Sequence, residues 1–475
     1  MRITGLILFL SLLRGVLPAQ QTYFSKNYDM YGTTSHTGSI IQTPDSGFAF
    51  LSSNFVQPYL GYTFIRTDKF GDTLFTKRFV YTNNSFGVGD GPSAFILAND
   101  GNYIACGTGT DGTNGDDAYI IKFTPSGDTL WTKRFGGTGD DFMNSMYQDA
   151  NDNFWVCGST SSQGNGIGDF WLVKLDANCT MLWDSVYGTV QNEGAACGEL
   201  TLDGGFILSG RSGNNPYVVK VDSVGFPQWQ FIYPAYNGYG YITQMADSGY
   251  IMGCAKVLSA TETQASLIKL NSSGTESWVR YTGFVNYHDV ITTKPILTDS
   301  TIVAAGDSRP NGGYYEGYLV KTDLNGYMLW QRRYVKNVNN PHYFYDCIPT
   351  YDHGYVMGGT CLMSTQDAWL IKVDSMGCEV AGCDAVGLIE PENQNAISVY
   401  PNPSHGNVTV TSARGNEDGV CVEVMNSMGQ IVDRISFNGL TAVQLITENY
   451  GAGLFYLRLM SNGTCISTEK LLIVK

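Results

Sequence analysis

The sequence predicts an all-β protein built from one repeated unit, and three observations predict it. A basic residue followed nine places later by an aromatic recurs as Arg66/Phe75, Lys122/Trp131, Lys174/Trp183, Lys220/Trp229, Lys269/Trp278 and Lys321/Trp330, with no slip of register. The spacing averages about 51 residues, within the range of propeller and solenoid repeats. Inside a unit, four short apolar, aromatic and β-branched segments are separated by turn residues, as at 144–149, 154–159, 170–175 and 181–187.

The turns identify the segments as hairpin strands. Between the third and fourth segments stand Asp68-x-x-Gly71, Asp222-x-x-Gly225, Asp323-x-x-Gly326 and Asp374-x-x-Gly377, with Asn271-x-x-Gly274 and Thr124-x-x-Gly127 as variants. A first-position Asp accepts a backbone N–H, and a fourth-position Gly tolerates positive φ. Asp45-Ser-Gly47, Asp203-Gly-Gly205, Asp247-Ser-Gly249 and Asp352-His-Gly354 play the same part between the first and second segments. Four antiparallel strands per unit make a propeller blade. The seventh basic residue, Lys372, has Ala381 where the aromatic should stand, while Phe24-Ser-Lys-Asn-Tyr28 near the N-terminus has the pattern of a fourth strand, as in Trp183-x-x-x-Tyr187. The sequence therefore predicts a seven-bladed β-propeller over 20–383, closed by its N-terminal strand so that no sheet edge is left open.

With 475 residues the chain has room for a second domain, and its 56 Gly, 30 Tyr and 23 Phe suit an all-β protein rich in turns. A net charge of −15 argues against nucleic acid or an anionic membrane surface as a partner. Residues 1–19 read as a signal peptide: Arg2, an apolar core at 7–13, and Leu17-Pro18-Ala19 before the cut. No later stretch is apolar enough to be a transmembrane segment. Eleven cysteines in an exported chain suggest disulfides, with at least one thiol left over. Cys106 and Cys157 occupy a second-strand position of small buried residues. Cys378 and Cys383, where the last blade loses its own fourth strand, are the better candidates for a bridge, and Cys421 and Cys465 are left open between pairing and packing.

The Lys and Trp present in every unit read as structural, because what every blade has, every blade needs. Binding residues are expected on the face that carries the second-to-third and blade-to-blade loops, which differ in length between blades: 54–61, 80–92, 109–117, 282–289, 308–316 and 335–342. There Tyr236, Tyr239, Tyr314, Tyr315, Tyr343 and Tyr345 offer surfaces for stacking on sugar rings or peptide side chains. Asp111, Asp116, Asp140 and Asp141 offer hard oxygen ligands for calcium, the one cofactor the sequence raises. Asp117 has repeat equivalents at Asp169 and Asp367 and reads as structural. The five histidines are scattered, and no nucleophile elbow, HExxH or phosphate loop is present, so no catalytic residue is assigned. The expectation is a binding module for a glycan or protein ligand. Alternatives are a carbohydrate-active hydrolase or lyase, whose paired carboxylates would be invisible in sequence, and a structural surface component.

Residues 384–396, with Glu390-Pro391-Glu392-Asn393, read as a linker, and 397–475 as a small immunoglobulin-like β-sandwich with strands at 408–411, 420–424, 431–435, 443–446, 455–459 and 471–474. Val399-Tyr400-Pro401-Asn402-Pro403, Gly406, Asn426-x-x-Gly429, Gly453-Leu-Phe-Tyr456, Lys470 and the final Lys475 stand in one order over these residues. In that order they resemble the type A C-terminal sorting domain of the type IX (Por) secretion system of Bacteroidota. The resemblance implies recognition by an outer-membrane translocon, then cleavage by a surface sortase with release or attachment at the cell surface. The repeats themselves resemble secreted propeller-like repeats of that phylum, a likeness that brings no activity with it.

Overall fold

The computed structural model describes residues 22–474 apart from 30–34, 57–58, 80–84, 89–92, 111–114, 260–261, 299, 364, 381–396, 413, 415–418, 427–429 and 462–463. The leader, the linker, Asp111, Gly429 and Lys475 lie outside the described residues. The chain divides into two compact units, one ending at Ala381 and the other beginning at Gly382. Among the described residues every regular element is a strand except a 3-10 turn at Thr447–Asn449.

The first unit is a propeller-like succession of four-stranded antiparallel meanders. The third is representative: Asp141–Gln148, Phe154–Thr160, Asp169–Leu175 and Met181–Tyr187 pair in that order. The fourth (Glu193–Leu200, Phe206–Ser212, Asn215–Val221, Pro227–Ile232) and the first (Ser35–Gln42, Phe48–Val56, Tyr59–Thr67, Thr73–Phe79) repeat it. The fifth and sixth meanders are joined by a single parallel bridge between Thr263 and His288. In the last meander His342–Pro349, Tyr355–Leu362 and Gln366–Val373 are completed by Phe24–Tyr28. Its register sets Phe24 opposite Lys372 and Tyr28 opposite Ala368, just as Trp183 faces Lys174 and Tyr187 faces Phe170. The N-terminal strand thus supplies the aromatic that the seventh repeat lacks.

The repeated cation has a local task. Its ammonium or guanidinium reaches the Asp in the turn between the first and second strands of its own meander: Arg66 to Asp45 at 2.5 Å, Lys122 to Asp100 at 2.6 Å, Lys220 to Asp203 at 2.9 Å, Lys269 to Asp247 at 2.6 Å and Lys372 to Asp352 at 2.7 Å. Lys174 instead lies 4.2 Å from the centre of the Trp155 ring.

The repeated aromatic acts between neighbours. At Gly225 the φ is +89°, and an added Cβ would lie 2.9 Å from the Trp183 ring of the preceding meander. Both the backbone conformation and the lack of space exclude a side chain there. Gly71 against Phe24, Gly274 against Trp229, Gly326 against Trp278 and Gly377 against Trp330 are equally close. Four residues after the aromatic, a tyrosine hydroxyl donates to the carbonyl of the same glycine: Tyr28 to Gly71 at 2.8 Å, Tyr187 to Gly225 at 2.6 Å, Tyr233 to Gly274 at 2.7 Å and Tyr334 to Gly377 at 2.8 Å. Between the second and third meanders the tyrosine is Phe135 and the glycine is Cys179, at φ +54°. There Lys133 Nζ donates to the Cys179 carbonyl at 3.0 Å.

Apolar residues collect between adjacent meanders rather than in one central mass. Trp155, Phe170, Leu172, Phe206, Leu208 and Tyr217, for example, bury themselves between the third and fourth. Phe24, Tyr28, Val356 and Leu370 of the last pack on Ile40, Phe48 and Phe50 of the first. Each fully buried aromatic withdraws about 150–250 Å² from water, worth roughly 4–6 kcal/mol before the entropy of ordering is set against it.

The expected loop at 54–61 is largely strand. The second and third strands of the first meander run on to pair Val56 with Tyr59, because their β-branched and aromatic residues extend the ladder into the turn. Cys106 and Cys157 are buried thiols, Cys421 and Cys465 are free, and Cys378 is in a disulfide. Its expected partner Cys383 lies outside the described residues. In the second unit, Ser398–Tyr400, Val408–Thr411 and Ala442–Leu445 form one sheet, and Ile431–Ser436, Val420–Asn426, Gly453–Ser461 and Thr464–Ile473 another. Val408, Val410 and Leu445 meet Val422, Val424, Leu457 and Leu471 in the core between them.

Trp183→Ala should lower the unfolding free energy by about 2–4 kcal/mol. Tyr187→Phe, which removes one buried hydrogen bond, should lower it by about 1 kcal/mol. Urea unfolding followed by tryptophan fluorescence and circular dichroism checks both, and an unchanged midpoint for Trp183→Ala contradicts the seat described above.

Candidate functional site

The ends of the strands position the candidate site. Strands one and three of each meander begin, and strands two and four end, on the face that carries the longer loops. The first strand opens with a buried polar residue that holds the incoming loop. Asp141 Oδ2 accepts from Gly137 N at 2.8 Å and Ser162 Oγ at 2.7 Å, Glu193 Oε1 accepts from Thr189 and Ser212 hydroxyls at 2.5 and 2.6 Å, Asp289 Oδ2 accepts from Phe284 N at 2.6 Å, and His342 Nε2 accepts from Lys336 N at 3.0 Å. A bulge follows in most of these strands, between Met143 and Ser145, Ala195 and Cys197, and Phe344 and Asp346. It re-aims the residue it sets free, which in the last meander is Tyr345.

Beside the bulge, at equivalent second-strand positions, stand Ser53, Thr108, Ser159, Arg211, Asp307 and Thr360, paired with His36, Gly87, Phe142, Gly194, Val290 and Tyr343. Four are small and polar; Arg211 and Asp307 are not. The Arg211 guanidinium lies 4.8 Å from the centre of the Tyr239 ring, and that of Arg309, two residues beyond Asp307, lies 4.8 Å from the Tyr315 ring. Neither arginine has an ion-pair partner among the described residues. Tyr315 and Tyr343 are 5.1 Å apart between ring centres. Tyr345 meets His36 edge-on at 5.8 Å, and Ser53 Oγ is 2.6 Å from His36 Nδ1.

The six tyrosines singled out in the sequence therefore divide. Tyr315 and Tyr343 lie together, Tyr345 and Tyr239 are half-buried each beside a basic or imidazole group, and Tyr314 is 52% exposed. Tyr236 is buried between the fourth and fifth meanders, where its hydroxyl donates to Glu276 Oε2 at 2.8 Å. Arg211, Arg309, Asp307 and His36 were not selected from the sequence. For Arg211 and Asp307 the signal is departure from the repeat, a charged residue at a position where four other units carry Ser or Thr. Of the acidic candidates, Asp140 Oδ1 accepts from Asp116 N at 3.0 Å, and Asp141 is buried as described. Among the described residues no three His, Cys, Asp or Glu side chains converge as a metal site.

At the other end of the first strands, Lys294 of the sixth meander reaches Tyr147 of the third, 2.9 Å from its hydroxyl, and pairs with Glu199 of the fourth. Glu199 Oε1 accepts in addition from Gln244 N of the fifth, at 2.5 Å. One ammonium thus joins meanders far apart in the succession.

Three carboxyl groups sit well above the usual range because burial disfavours their charge: Asp307 at about 8, opposed by the Phe344 N–H at 2.9 Å; Asp289 at about 7, opposed by the Phe284 N–H; and Asp346 at about 6, opposed by the Ile40 and Cys347 N–H groups. In contrast, Thr43 and then Arg66 hold Asp45 at about 2, while Asp203, against the cost of its burial, is brought to about 2 by Thr201 and Lys220.

In the second unit Asn402 and Ser404 lie along the last strand. Asn402 Nδ2 donates to the Lys470 carbonyl at 2.5 Å, and its Oδ1 accepts from Leu472 N at 2.9 Å, so one side chain takes the place of a neighbouring strand. Ser404 continues the pairing, its N–H to the Leu472 carbonyl and its carbonyl to Val474 N, both at 2.8 Å. Pro401 and Pro403 offer no N–H to a further strand. Gly406 is held through its carbonyl by the Ser404 and Thr447 hydroxyls, each at 2.5 Å. Tyr456 faces Lys470 across the ladder, Gly453 begins that strand, and Tyr400 is exposed.

Residues 398–475 match the family described as the secretion system C-terminal sorting domain. The chain is exported through type IX secretion to the cell surface or the extracellular space, and no helix among the described residues is long and apolar enough to cross a membrane. No curated protein matches the chain. Among solved structures, virginiamycin B lyase from Staphylococcus aureus, with quinupristin, is similar over 74% of this chain and 100% of its own, at 11% identity and a TM-score of 0.45. Sqt1 from Chaetomium thermophilum is similar over 80% and 94%, at 12% identity and 0.45, and Drosophila Plexin A in complex with Semaphorin 1b over 74% and 86%, at 7% identity and 0.42. These likenesses carry no argument about activity.

The raised and lowered carboxyls set a pH profile. A buried acid with a raised value holds a proton in the folded chain that the unfolded chain has released, so stability falls as pH rises from about 4, the unfolded value, to about 8. Asp45 and Asp203 act oppositely, their contribution being lost as pH falls from about 4 towards about 2. The thermal midpoint should therefore be higher at pH 5 than at pH 8, and Asp307→Asn, whose amide oxygen can still accept the Phe344 N–H, should narrow the difference. Scanning calorimetry across that range checks it, and a midpoint that rises towards pH 8 contradicts it.

Proposed function

We propose that the first unit is a closed seven-bladed β-propeller, that the second is an immunoglobulin-like sandwich read by the type IX translocon and a surface sortase, and that the exported propeller binds a glycan on its long-loop face. The pairing of Phe24–Tyr28 with Gln366–Val373 and the packing of the last meander on the first support closure. The observation that carries the binding reading is the pair of arginines beside tyrosine rings, Arg211 at Tyr239 and Arg309 at Tyr315, neither with an ion-pair partner among the described residues, in a chain of net charge −15. A tyrosine face can stack on a sugar ring, and a guanidinium beside it can present two parallel donors to a carboxylate. An acidic polysaccharide satisfies both. The enzyme reading rests on Asp307, a carboxyl kept protonated by burial near neutral pH, close enough to Tyr343 to raise its phenol after burial and Tyr315 have done so.

Recombinant propeller with its tail should bind uronate-containing polysaccharides in preference to neutral ones, and Arg309→Ala with Tyr343→Ala should weaken binding at least tenfold with the circular dichroism spectrum unchanged. Release of soluble sugar would favour the hydrolase or lyase. Binding to none of a broad glycan panel would remove the glycan reading in favour of a protein ligand or a structural surface role.

A further inference from the structure

The junction between the third and fourth meanders holds two buried carboxyl groups with no ion-pair partner among the described residues. Asp169 opens the third strand of one meander and Glu193 the first strand of the next, and each is 1% exposed. An ideal Cβ on Gly188 would lie 1.8 Å from Asp169 Oδ1 and 3.0 Å from Glu193 Oε2, so the two oxygens flank one point in the loop between the meanders. Asp169 Oδ2 accepts from Asn165 and Gly166 N–H groups at 3.0 and 3.1 Å, and Glu193 Oε1 from its two hydroxyls. Glu193 Oε2 is buried with no hydrogen-bond partner. Neither carboxylate is in an ion pair among the described residues. Two anions so placed cost free energy unless a cation joins them.

At the preceding junction one of the two acids in the same geometry is ion-paired from within, while Asp141 Oδ1, like Glu193 Oε2, is buried without a hydrogen-bond partner. There Asp117 and Asp141 occupy the equivalent positions and approach Gly136 in the same way, at 2.1 and 2.6 Å from its ideal Cβ. Arg134, three residues after Trp131, is ion-paired with Asp117. Three residues after Trp183 stands Val186, which carries no charge. At the last junction Asn27, three after Phe24, donates to Asp367 Oδ2 at 2.8 Å. The third meander alone among these three has an apolar residue at that position, so neither acid of its junction is ion-paired among the described residues.

We propose that Asp169 and Glu193 hold a divalent cation of the calcium type that clasps the third meander to the fourth. Both ligands are hard oxygens, and the carbonyls of Thr189 and Gln191 lie against Gly166, whose own N–H binds Asp169. Calcium accepts such mixtures of carboxylate, backbone carbonyl and water. The site differs from the acidic residues at 111–141 and involves none of the long-loop tyrosines.

The test is thermal unfolding of the full mature chain in calcium and in EGTA, with calorimetric titration of calcium into chelator-treated protein. Calcium should raise the midpoint by at least about 2 °C and bind at this site. Glu193→Gln and Val186→Arg should each abolish the rise, Val186→Arg by supplying the charge that Arg134 supplies one junction earlier, whereas Asp141→Asn should keep it. Glu193→Gln decides alone if Val186→Arg does not fold. Absence of calcium binding, or a rise undiminished in Glu193→Gln, overturns the proposal.

Discussion

An aromatic ring seated on the glycine of its neighbour's turn is the contact on which the rest of the propeller-like unit depends. Trp183 against Gly225 and Trp330 against Gly377 are examples, each reinforced by a tyrosine hydroxyl on the glycine carbonyl. The seat fixes the spacing and tilt between meanders, and in the first, second, fourth, fifth and last of them a basic residue paired with Asp fixes the turn at the other end. Because the ring and the hydroxyl come from one strand and the glycine from the next unit, no meander is complete by itself. Phe24 and Tyr28 make the same seat on Gly71, although the other three strands of the meander they complete come from residues 342–373.

Much of this was legible because a repeat exposes its own gaps. Lys372 without an aromatic nine residues later predicted a strand from elsewhere, and Phe24–Tyr28 fills it in the predicted register. The sequence could not show that the Asp-x-x-Gly glycines serve two ends. Positive φ alone explains Gly225 as a turn residue, and the pressure of Trp183 on it becomes visible only when two units are side by side. The bulges in the first strands were also hidden, since apolar alternation looks the same whether or not one residue is left out of the ladder. In the tail the motif was recognisable by resemblance, but the part played by Asn402, substituting for a strand along 470–472, was not.

The candidate site was less legible. Tyr236 and Tyr239 are three residues apart in one aromatic stretch, yet the first is buried against Glu276 and the second lies half-open under Arg211. Local composition cannot distinguish them, because the difference depends on which side of a meander interface each falls. Arg211 and Asp307 were findable by comparing units position by position and asking which residue breaks the pattern of Ser and Thr. In a protein of repeats, what recurs builds the frame, and what fails to recur marks where the frame is used.

Lys294 has a consequence for how the succession of meanders holds together. Its contacts with Tyr147 and Glu199 tie the sixth meander to the third and fourth, at the end of the first strands away from the long loops. A salt bridge and a phenol hydrogen bond there couple units that share no ring-on-glycine seat, so a meander loosened from its neighbour is still tethered to more distant ones.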